Sequence, residues 1–316
     1  MSSADRTSVT SEPIPTSHSA ASWSRSSSSR ASTSVPAERD GREARRRLPR
    51  DRVVRLLSYN IQTGLAATHF GHYFTRGLRY VTPHHDRQRN LQVIAEHLRH
   101  FDLVALQEVD AGSLRTGFAS QTESLAHMGG FPFWAEQANR RVGRIARPGN
   151  GLLSRVRPQE VVDHKLPGLP GRGTLEARFT LDGESLSVFV IHLALGRRGR
   201  ERQIHFLSDL VRGATHAIVM GDLNCRASSR EVTTLRDATG LRVPYAPVRT
   251  FPSWRPRRDI DHILVSDSIE VSRTFVPQWT CSDHLPLAME VRLPPAVTGE
   301  RGARADPTAA GRGDHR

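Results

Sequence analysis

The stretch HAIVMGDLN, residues 216–224, joins a run of apolar side chains to two polar ones. Residues 217–220 are continuously apolar, which is typical of a buried β-strand. Two polar residues, Asp222 and Asn224, come just after this run, where the strand is expected to end. A carboxylate and an amide in this arrangement either cap a turn or face a common ligand. The other motifs of the chain bear on which interpretation holds.

Composition indicates a globular protein with basic character. The chain has 316 residues, 37% of them hydrophobic, and a mean hydropathy of -0.46, which suits one large domain or two small ones. The formal net charge of +13 comes almost wholly from arginine, since Lys165 is the only lysine. Arginine favours bidentate contacts with phosphate and carboxylate, although a GC-rich genome would produce the same bias. The charge therefore permits polyanionic partners without proving them.

The two ends of the chain differ from its centre. Residues 1–50 are rich in serine and arginine and lack a periodic apolar pattern, so we predict a disordered tail, with a second one at residues 295–316. We find no apolar stretch that suits a secretory signal or a membrane span. Two cysteines, Cys225 and Cys281, are too few for a disulfide framework. We expect a cytoplasmic, monomeric protein without a transmembrane segment.

Residues 51–294 are predicted to form one domain in which strands alternate with helices. Asp182 and Gly183 lie between two apolar runs and indicate a tight hairpin, so antiparallel pairing is expected. This mixture indicates an α/β sandwich. The predicted strands cover residues 53–59, 103–109, 151–154, 175–181, 186–192, 216–221, 260–265 and 287–293.

Helices are predicted between several of these strands. Residues 91–98 place apolar side chains at the spacing of one buried helix face. Ser120 and Ser228 each stand three positions before a glutamate, which is the spacing of a capping box. Gly129 and Gly240 supply the corresponding helix ends.

Polar residues lie at or just beyond the ends of several apolar runs. One such residue is normally a turn or a cap, but the ends of packed strands converge on one rim, where a rigid scaffold can hold them in a common cleft. Six clusters in order are harder to explain as separate caps. They are Asn60; Gln107 and Glu108; His192; Asp222 and Asn224; Asp261 and His262; and Ser282, Asp283 and His284.

The residue types suit metal-assisted chemistry on phosphate. Mg²⁺ prefers carboxylate, carbonyl and water oxygens, and its protein sites usually leave room for substrate phosphate. Glu108 and Asp283 supply carboxylates, with Asn60 nearby. Asp261 and His284 are natural partners, because an aspartate fixes the tautomer of a histidine and stabilises its charged form.

Six motifs, taken in order, resemble those of the endonuclease/exonuclease/phosphatase superfamily. These metal-dependent phosphoesterases include DNase I-like nucleases, neutral sphingomyelinases and inositol polyphosphate phosphatases. The resemblance covers about residues 53–291. It implies a DNase I-like, four-layered α/β/β/α sandwich. The motifs are SYNIQTG at 58–64, LQEVD at 106–110, IHL at 191–193, GDLN at 221–224, DIDHIL at 259–264 and SDHLP at 282–286.

The resemblance also implies a metal site at the rim of the sandwich. Glu108 would be the main metal carboxylate, and Asn60 and Asp283 would help to hold one or two ions and their waters. The implied cofactor is Mg²⁺ or Mn²⁺.

Five further residues would act on the phosphate. By resemblance, Asp222 would align or deprotonate the attacking water, and Asn224 would hold a phosphate oxygen. His192 would contact the phosphate from the other side. His284, oriented by Asp261, would bind or protonate the phosphate in the transition state.

Other positions bear on the substrate. Abasic-site endonucleases of the superfamily carry a tyrosine where the chain has His192, so repair of abasic DNA is not expected. Arg202 and Gln203 follow on a helix, as in nuclease and sphingomyelinase branches. Arg202 is predicted to bind substrate, the alternative being a solvated helix face. Trp254 and Arg258 precede the DIDHIL motif and are predicted to bind substrate at the rim.

We predict a divalent-metal-dependent phosphodiester hydrolase, with nucleic acid favoured because the centre of the chain is basic. One alternative is a phospholipid or inositol-phosphate phosphoesterase that uses the same site. The other is a binding module that has lost the chemistry, although none of the principal motif positions is missing. The connection between Gln62 and Pro83, where rings alternate with arginines, either contacts substrate or packs on the body as an insertion.

Overall fold

The computed structural model describes residues 29–30, 53–64, 85–139, 145–168, 170–181 and 184–294. Within these ranges the strands are β1 (Ser29–Arg30), β2 (Val54–Asn60), β3 (Leu103–Asp110), β4 (Phe133–Ala138), β5 (Pro148–Ser154), β6 (Glu160–Lys165), β7 (Gly173–Leu181), β8 (Glu184–His192), β9 (His216–Asp222), β10 (Asp261–Val265), β11 (Glu270–Phe275) and β12 (Leu287–Arg292). The α-helices are α1 (His85–Leu98), α2 (Gln121–Gly129), α3 (Arg197–Arg212) and α4 (Arg230–Thr239).

The strands form two six-stranded sheets. The first has the order β1-β6-β7-β8-β9-β10, and the second has the order β11-β12-β2-β3-β5-β4. Pairing is antiparallel except between β8 and β9 and between β2 and β3. Each parallel pair needs a crossover connection, and α3 and α1 respectively lie in these two connections.

Three apolar cores separate the layers. The core between the sheets draws on both of them, with Leu56 from the second sheet and Val188 from the first. Helices α1 and α2 cover the outer face of the second sheet, where Ile94 is fully buried. Helices α3 and α4 cover the outer face of the first sheet, where Ile204 is fully buried. The fold is therefore the predicted α/β/β/α sandwich.

Strand β9 shows why its apolar run is continuous. Ile218 and Met220 face the core between the sheets, whereas Ala217 and Val219 face the core beneath the helices. Successive side chains point to opposite faces, so a strand that is covered on both sides needs apolar residues at every position. All seven residues of β9 are buried.

One helix boundary differs from the prediction by one residue. Helix α4 is capped by Ser229 rather than Ser228, because the Ser229 hydroxyl accepts a hydrogen bond from the backbone N–H of Val232 at 3.4 Å. Helix α2 ends at Gly129 as predicted, and the next residue, Gly130, is its C-cap in the left-handed conformation with φ of 69°. Ser120 and Gly240 cap their helices as predicted.

Four strands are additions to the predicted set: β1, β4, β6 and β11. Strand β1 has two residues, lies in the segment predicted to be disordered, and pairs with β6. The rest of residues 1–50, residues 295–316, the hairpin residues 182–183 and the connection 65–84 lie outside the described residues. No described helix is long and apolar enough to cross a membrane.

Candidate active site

Strand register brings three of the predicted residues together at one end of the first sheet. His192 ends β8 and lies opposite Asp222, which ends β9. Asp222 in turn lies opposite Asp261, which begins β10. An imidazole and two carboxylates therefore occupy neighbouring positions on three adjacent strands, and all three are buried.

Asn60 connects this group to the second sheet. It ends β2, and its Nδ2 donates to Glu108 Oε1 at 3.4 Å and to Asp222 Oδ2 at 3.2 Å. Its Oδ1 accepts from the backbone N–H of Gln62 at 3.1 Å, and its carbonyl accepts from Ser282 Oγ at 2.7 Å. Asn60 thus orients carboxylates that belong to both sheets.

Glu108 is the extra residue of a β-bulge. Its neighbours in β3, Gln107 and Val109, pair with consecutive residues of β5, so Glu108 is left out of the ladder. Its φ is 57°, and a non-glycine residue in this region costs about 1–3 kcal/mol. Thr63 Oγ1 donates to the Glu108 carbonyl at 3.1 Å and secures the bulge. A bulge of this kind re-aims a side chain, and here the carboxylate contacts Asn60.

The donor set around Glu108 fits a hard divalent ion. Burial raises the pKa of the Glu108 carboxyl, and the negative charge of Asp283 raises it further, while His284 and Asn60 oppose the change. Within the described ranges, no histidine, lysine or arginine lies within ion-pairing distance of Glu108. A divalent cation held by the oxygens of Glu108 and Asp283 would relieve their repulsion.

His284 lies between two carboxylates of the first sheet. Its Nδ1 is 2.9 Å from Asp261 Oδ2 and 3.1 Å from Asp261 Oδ1, and its Nε2 is 3.8 Å from Asp222 Oδ2. Burial alone lowers the pKa of His284, but the charges of Asp261 and Asp222 and the hydrogen bond to Asp261 raise it to about 10. This shift favours the imidazolium at neutral pH, in which Nε2 carries an N–H on the side of Asp222.

Asp222 changes its protonation near neutral pH. Burial raises its pKa to about 7; the positive charge of His284 opposes the shift, and the negative charge of Asp261 adds to it. Its Oδ1 accepts from the backbone N–H of Asn224 at 2.8 Å. Asn224 has φ of 54°, and its Nδ2 donates to the Leu193 carbonyl at 2.9 Å, so the turn after β9 is fixed.

His192 stands on the other side of Asp222. Its Nε2 is 3.5 Å from Asp222 Oδ2, and its Nδ1 is 2.7 Å from Nη1 of Arg172. A guanidinium only donates hydrogen bonds, so Nδ1 is the acceptor and the ring proton lies on Nε2. Burial, together with the positive charges of Arg172 and His284, holds the pKa of His192 well below its usual range. His192 is a neutral N–H donor.

A second group of ligand atoms also lies close together. One atom each of Asp222, Asp261 and His284 are within 4.8 Å of one another, and such a group could hold a metal. However, the two aspartates face opposite ring nitrogens of His284, and Nδ1 already lies 2.9 Å from Asp261 Oδ2. We therefore expect the metal on the Glu108 side of the cleft.

Sequence reasoning missed two residues of the cleft, Arg172 and Thr250. Thr250 Oγ1 donates to Asp261 Oδ2 at 2.5 Å, on the oxygen that also contacts His284. The next side chain, Phe251, packs on the His284 ring with 4.8 Å between ring centroids. Thr250 begins the segment TFPSWRPRR, residues 250–258, which leads into the DIDHIL motif and was the available signal, whereas Arg172 belongs to no motif.

The predicted substrate-binding residues have different positions. The guanidinium of Arg258 is exposed and lies 6.0 Å from the Phe251 ring centroid, on the His284 side of the cleft. Trp254 is half-buried in the same segment. Arg202 is exposed on α3, where its Nε donates to the Arg198 carbonyl at 3.4 Å, and no contact with the cleft is seen among the described residues.

A sequence model described as the Endonuclease/Exonuclease/phosphatase family matches residues 57–284. The chain belongs to this family. Members of the family are hydrolytic phosphoesterases and generally depend on a divalent metal. The matched range contains the predicted catalytic and metal residues from Glu108 to His284 as well as Asn60. A comparison with curated proteins gave no match.

Solved structures of the family share the fold. An endonuclease/exonuclease/phosphatase from Beutenbergia cavernae DSM 12333 is 20% identical with a TM-score of 0.58, over 77% of this chain and 72% of that one. A mannosyl-6-phosphatase from Bacteroides thetaiotaomicron VPI-5482 is 20% identical with a TM-score of 0.56, over 75% and 99%. The human Nocturnin catalytic domain with bound sulfate is 17% identical with a TM-score of 0.56, over 76% and 94%. These likenesses show the fold alone.

Proposed function

We propose that this protein is a divalent-metal-dependent phosphodiester hydrolase that acts on nucleic acid. The observation that carries the proposal is the position of His284, 2.9 Å from Asp261 and 3.8 Å from Asp222, in the same cleft as the re-aimed Glu108. A general base, an acid and a carboxylate metal ligand are the groups that hydrolysis of a phosphate ester requires.

Asp222 is the proposed general base. With a pKa of about 7, an appreciable fraction is ionised at neutral pH and able to accept a proton. Asn60 and the backbone of Asn224 hold its two oxygens in place. Asp222 takes the proton of the attacking water as the water oxygen forms its bond to phosphorus. A positioned base of this kind contributes about 10²–10⁴-fold to the rate.

His284 and His192 are proposed to act on the phosphate. His284 donates from Nε2, either to a non-bridging oxygen or to the leaving oxygen as its bond to phosphorus breaks. His192 donates from its own Nε2–H on the other side of Asp222. Such donors are most effective where charge develops in the transition state. A divalent ion held by Glu108 and Asp283 would polarise the phosphoryl oxygen.

Charge and rim chemistry support nucleic acid as the substrate. The formal net charge is +13, and it resides in arginines, which suit phosphate. At the rim, the exposed Arg258 and the ring of Phe251 place a cation beside an aromatic face near His284. Single-stranded nucleic acids are bound by this combination of charge and stacking.

The test is metal-dependent hydrolysis of a substrate panel. The panel holds single- and double-stranded DNA, RNA, sphingomyelin, phosphoinositides, a generic aryl phosphodiester and mannose 6-phosphate, each with Mg²⁺ and with Mn²⁺. Wild type is compared with Asp222→Asn and His284→Gln, and with Asp209→Asn as a control on an exposed face of α3. We expect nucleic acid to be cleaved, with about 10²-fold or greater losses in the first two variants.

The other outcomes of the panel are equally informative. Hydrolysis of a phospholipid or inositol phosphate without nuclease activity would favour the alternative substrate class. A folded wild type that binds metal and cleaves nothing would favour the binding module. Activity that survives both substitutions would show that the site is elsewhere.

A further inference from the structure

Arg172 is a partly buried cation whose charge is not matched by an ion pair. It precedes β7, at the edge of the cleft, and burial lowers its pKa while the negative charges of Glu108 and Asp222 oppose the change. No aspartate or glutamate of the described ranges lies within ion-pairing distance of its guanidinium. Burying a cation is costly unless it is paired, so this position favours an anionic ligand.

The backbone of Arg172 is held firmly. Its carbonyl accepts from the Leu166 N–H at 3.3 Å across the connection between β6 and β7. The next residue, Gly173, accepts at its carbonyl from the buried Asn150 amide at 2.9 Å. A Cβ at Gly173 would meet the side-chain ends of Asn139 and Gln137, so a larger residue here would require both side chains to shift. The packing of the two sheets therefore fixes the backbone position of Arg172.

The guanidinium of Arg172 is oriented by His192. Nη1 lies 2.7 Å from His192 Nδ1, which accounts for one of its five N–H groups. This contact forces the ring proton of His192 to Nε2, on the side of Asp222, where Nε2 and Asp222 Oδ2 are 3.5 Å apart. Arg172 thus controls which donor His192 presents to the cleft and keeps further N–H groups of its own for a ligand.

We propose that Arg172 is a substrate-binding residue that donates to a phosphoryl oxygen and, through the same guanidinium, fixes His192 as the Nε2–H tautomer so that both donate to one phosphate. The inference rests on the proposed function and adds to it a residue outside the family motifs. Phosphate suits this position because the planar guanidinium fork matches its oxygens.

The binding test uses inorganic phosphate as the probe. Its affinity is measured by calorimetry on the full chain with Mg²⁺ present, for wild type, Arg172→Gln, Arg172→Lys and the control Arg236→Gln, which changes an exposed arginine of α4. Loss of a charge-assisted hydrogen bond predicts about 10- to 100-fold weaker binding in R172Q. R172K should recover part of this affinity as a point charge. R236Q should bind phosphate as wild type does.

The tautomer test separates positioning from a merely structural role. ¹⁵N chemical shifts of the His192 ring report an unprotonated Nδ1 and a protonated Nε2 in wild type, and a mixture of both tautomers in R172Q. In the cleavage assay, R172Q should lose kcat as well as affinity, while its melting temperature stays close to that of wild type and of R172K.

Each outcome has a defined meaning. A folded R172Q that binds phosphate with wild-type affinity would overturn the inference, and so would an unchanged Nε2–H tautomer in that variant. If R172Q does not fold, the comparison of R172K with wild type decides the same two points. If phosphate affinity and tautomer change as expected but wild type hydrolyses no ester, the inference about Arg172 stands and the proposed function fails.

Discussion

His284 Nδ1 lies 2.9 Å from Asp261 Oδ2, and the same aspartate oxygen accepts a hydrogen bond from Thr250 Oγ1 at 2.5 Å. Asp261 therefore fixes the orientation of His284 and maintains its charge. Asp261→Asn should lower the rate of hydrolysis by about 10²–10⁴-fold, because the imidazolium loses its counter-charge and its preferred tautomer.

The histidine itself provides a second readout of this change. In Asp261→Asn the pKa of His284, about 10 in wild type, should fall towards its ordinary value, as followed by NMR titration. Thr250→Val, which keeps the carboxylate, is the matched control and should lower the rate less. An asparagine variant with a wild-type His284 titration would contradict the assignment.

The raised pKa values of two buried groups predict a loss of stability with rising pH. The pKa of Asp222 is about 7 in the folded state and about 3.9 in the unfolded chain. The free energy of unfolding therefore falls as the pH rises from about 3.9 to about 7. The pKa of His284 is about 10 in the folded state and about 6.5 in the unfolded chain. Its contribution to stability is therefore complete below about pH 6.5 and is lost as the pH rises to about 10. Urea unfolding from pH 7 to pH 10 measures the second window. His284→Gln should flatten the decline, and an equally steep decline in that variant would exclude His284 as its source.

Glu108→Gln should separate stability from metal binding. The amide keeps an acceptor for Asn60 but removes a buried charge that Asp283 repels. Without metal, the melting temperature should rise by a few degrees, corresponding to about 1 kcal/mol. Mn²⁺ affinity, measured by calorimetry, should fall at least about 10-fold. Asp209→Asn, on an exposed acid, is the control for nonspecific charge effects. Unchanged Mn²⁺ affinity would exclude Glu108 as a ligand.

Gln203 is predicted to position two loops of the cleft. Its side chain is buried; Oε1 accepts from the Ala194 N–H at 2.8 Å, and Nε2 donates to the Pro167 carbonyl at 3.3 Å. Gln203→Ala should cost about 1–3 kcal/mol in chemical denaturation, because it leaves two half-buried backbone groups without their side-chain partner. Arg202→Ala, one position earlier and exposed, should stay within about 0.5 kcal/mol of wild type. Equal effects of the two variants would contradict the positioning role.

The sequence predicts the strands that are apolar on one or both faces, and it fails where a strand carries polar residues inward. Strand β4, which the sequence does not predict, has the buried Gln137, and the buried Asn150, one residue before the predicted start of β5, donates to it at 3.1 Å. In the sequence, a glutamine that is buried and hydrogen-bonded inside the sandwich looks the same as a glutamine on the surface. Strand β11 is mostly exposed and pairs only with β12, so its sequence has no apolar alternation.

For the site, ordered motifs identify the residues that lie at strand ends, since register alone brings His192, Asp222 and Asp261 together. The sequence does not distinguish Arg172 from the other arginines, because its role depends on a contact with His192 across two strands. Of the two residues of α3 that the sequence analysis names, Arg202 faces outwards and Gln203 faces the loops of the cleft.

The contact between His284 and Asp261 has a consequence for the whole molecule. Asp261 begins β10 of the first sheet, and His284 precedes β12 of the second. The carboxylate of Asp261 and the imidazole that it contacts therefore belong to opposite halves of the sandwich. Neither half contains a complete site. The geometry of the candidate site therefore depends on the alignment of the two sheets, and we expect a substitution in the core between them to impair turnover at a distance. By linkage, a ligand that bridges both halves should clamp them together and raise the resistance of the domain to global unfolding.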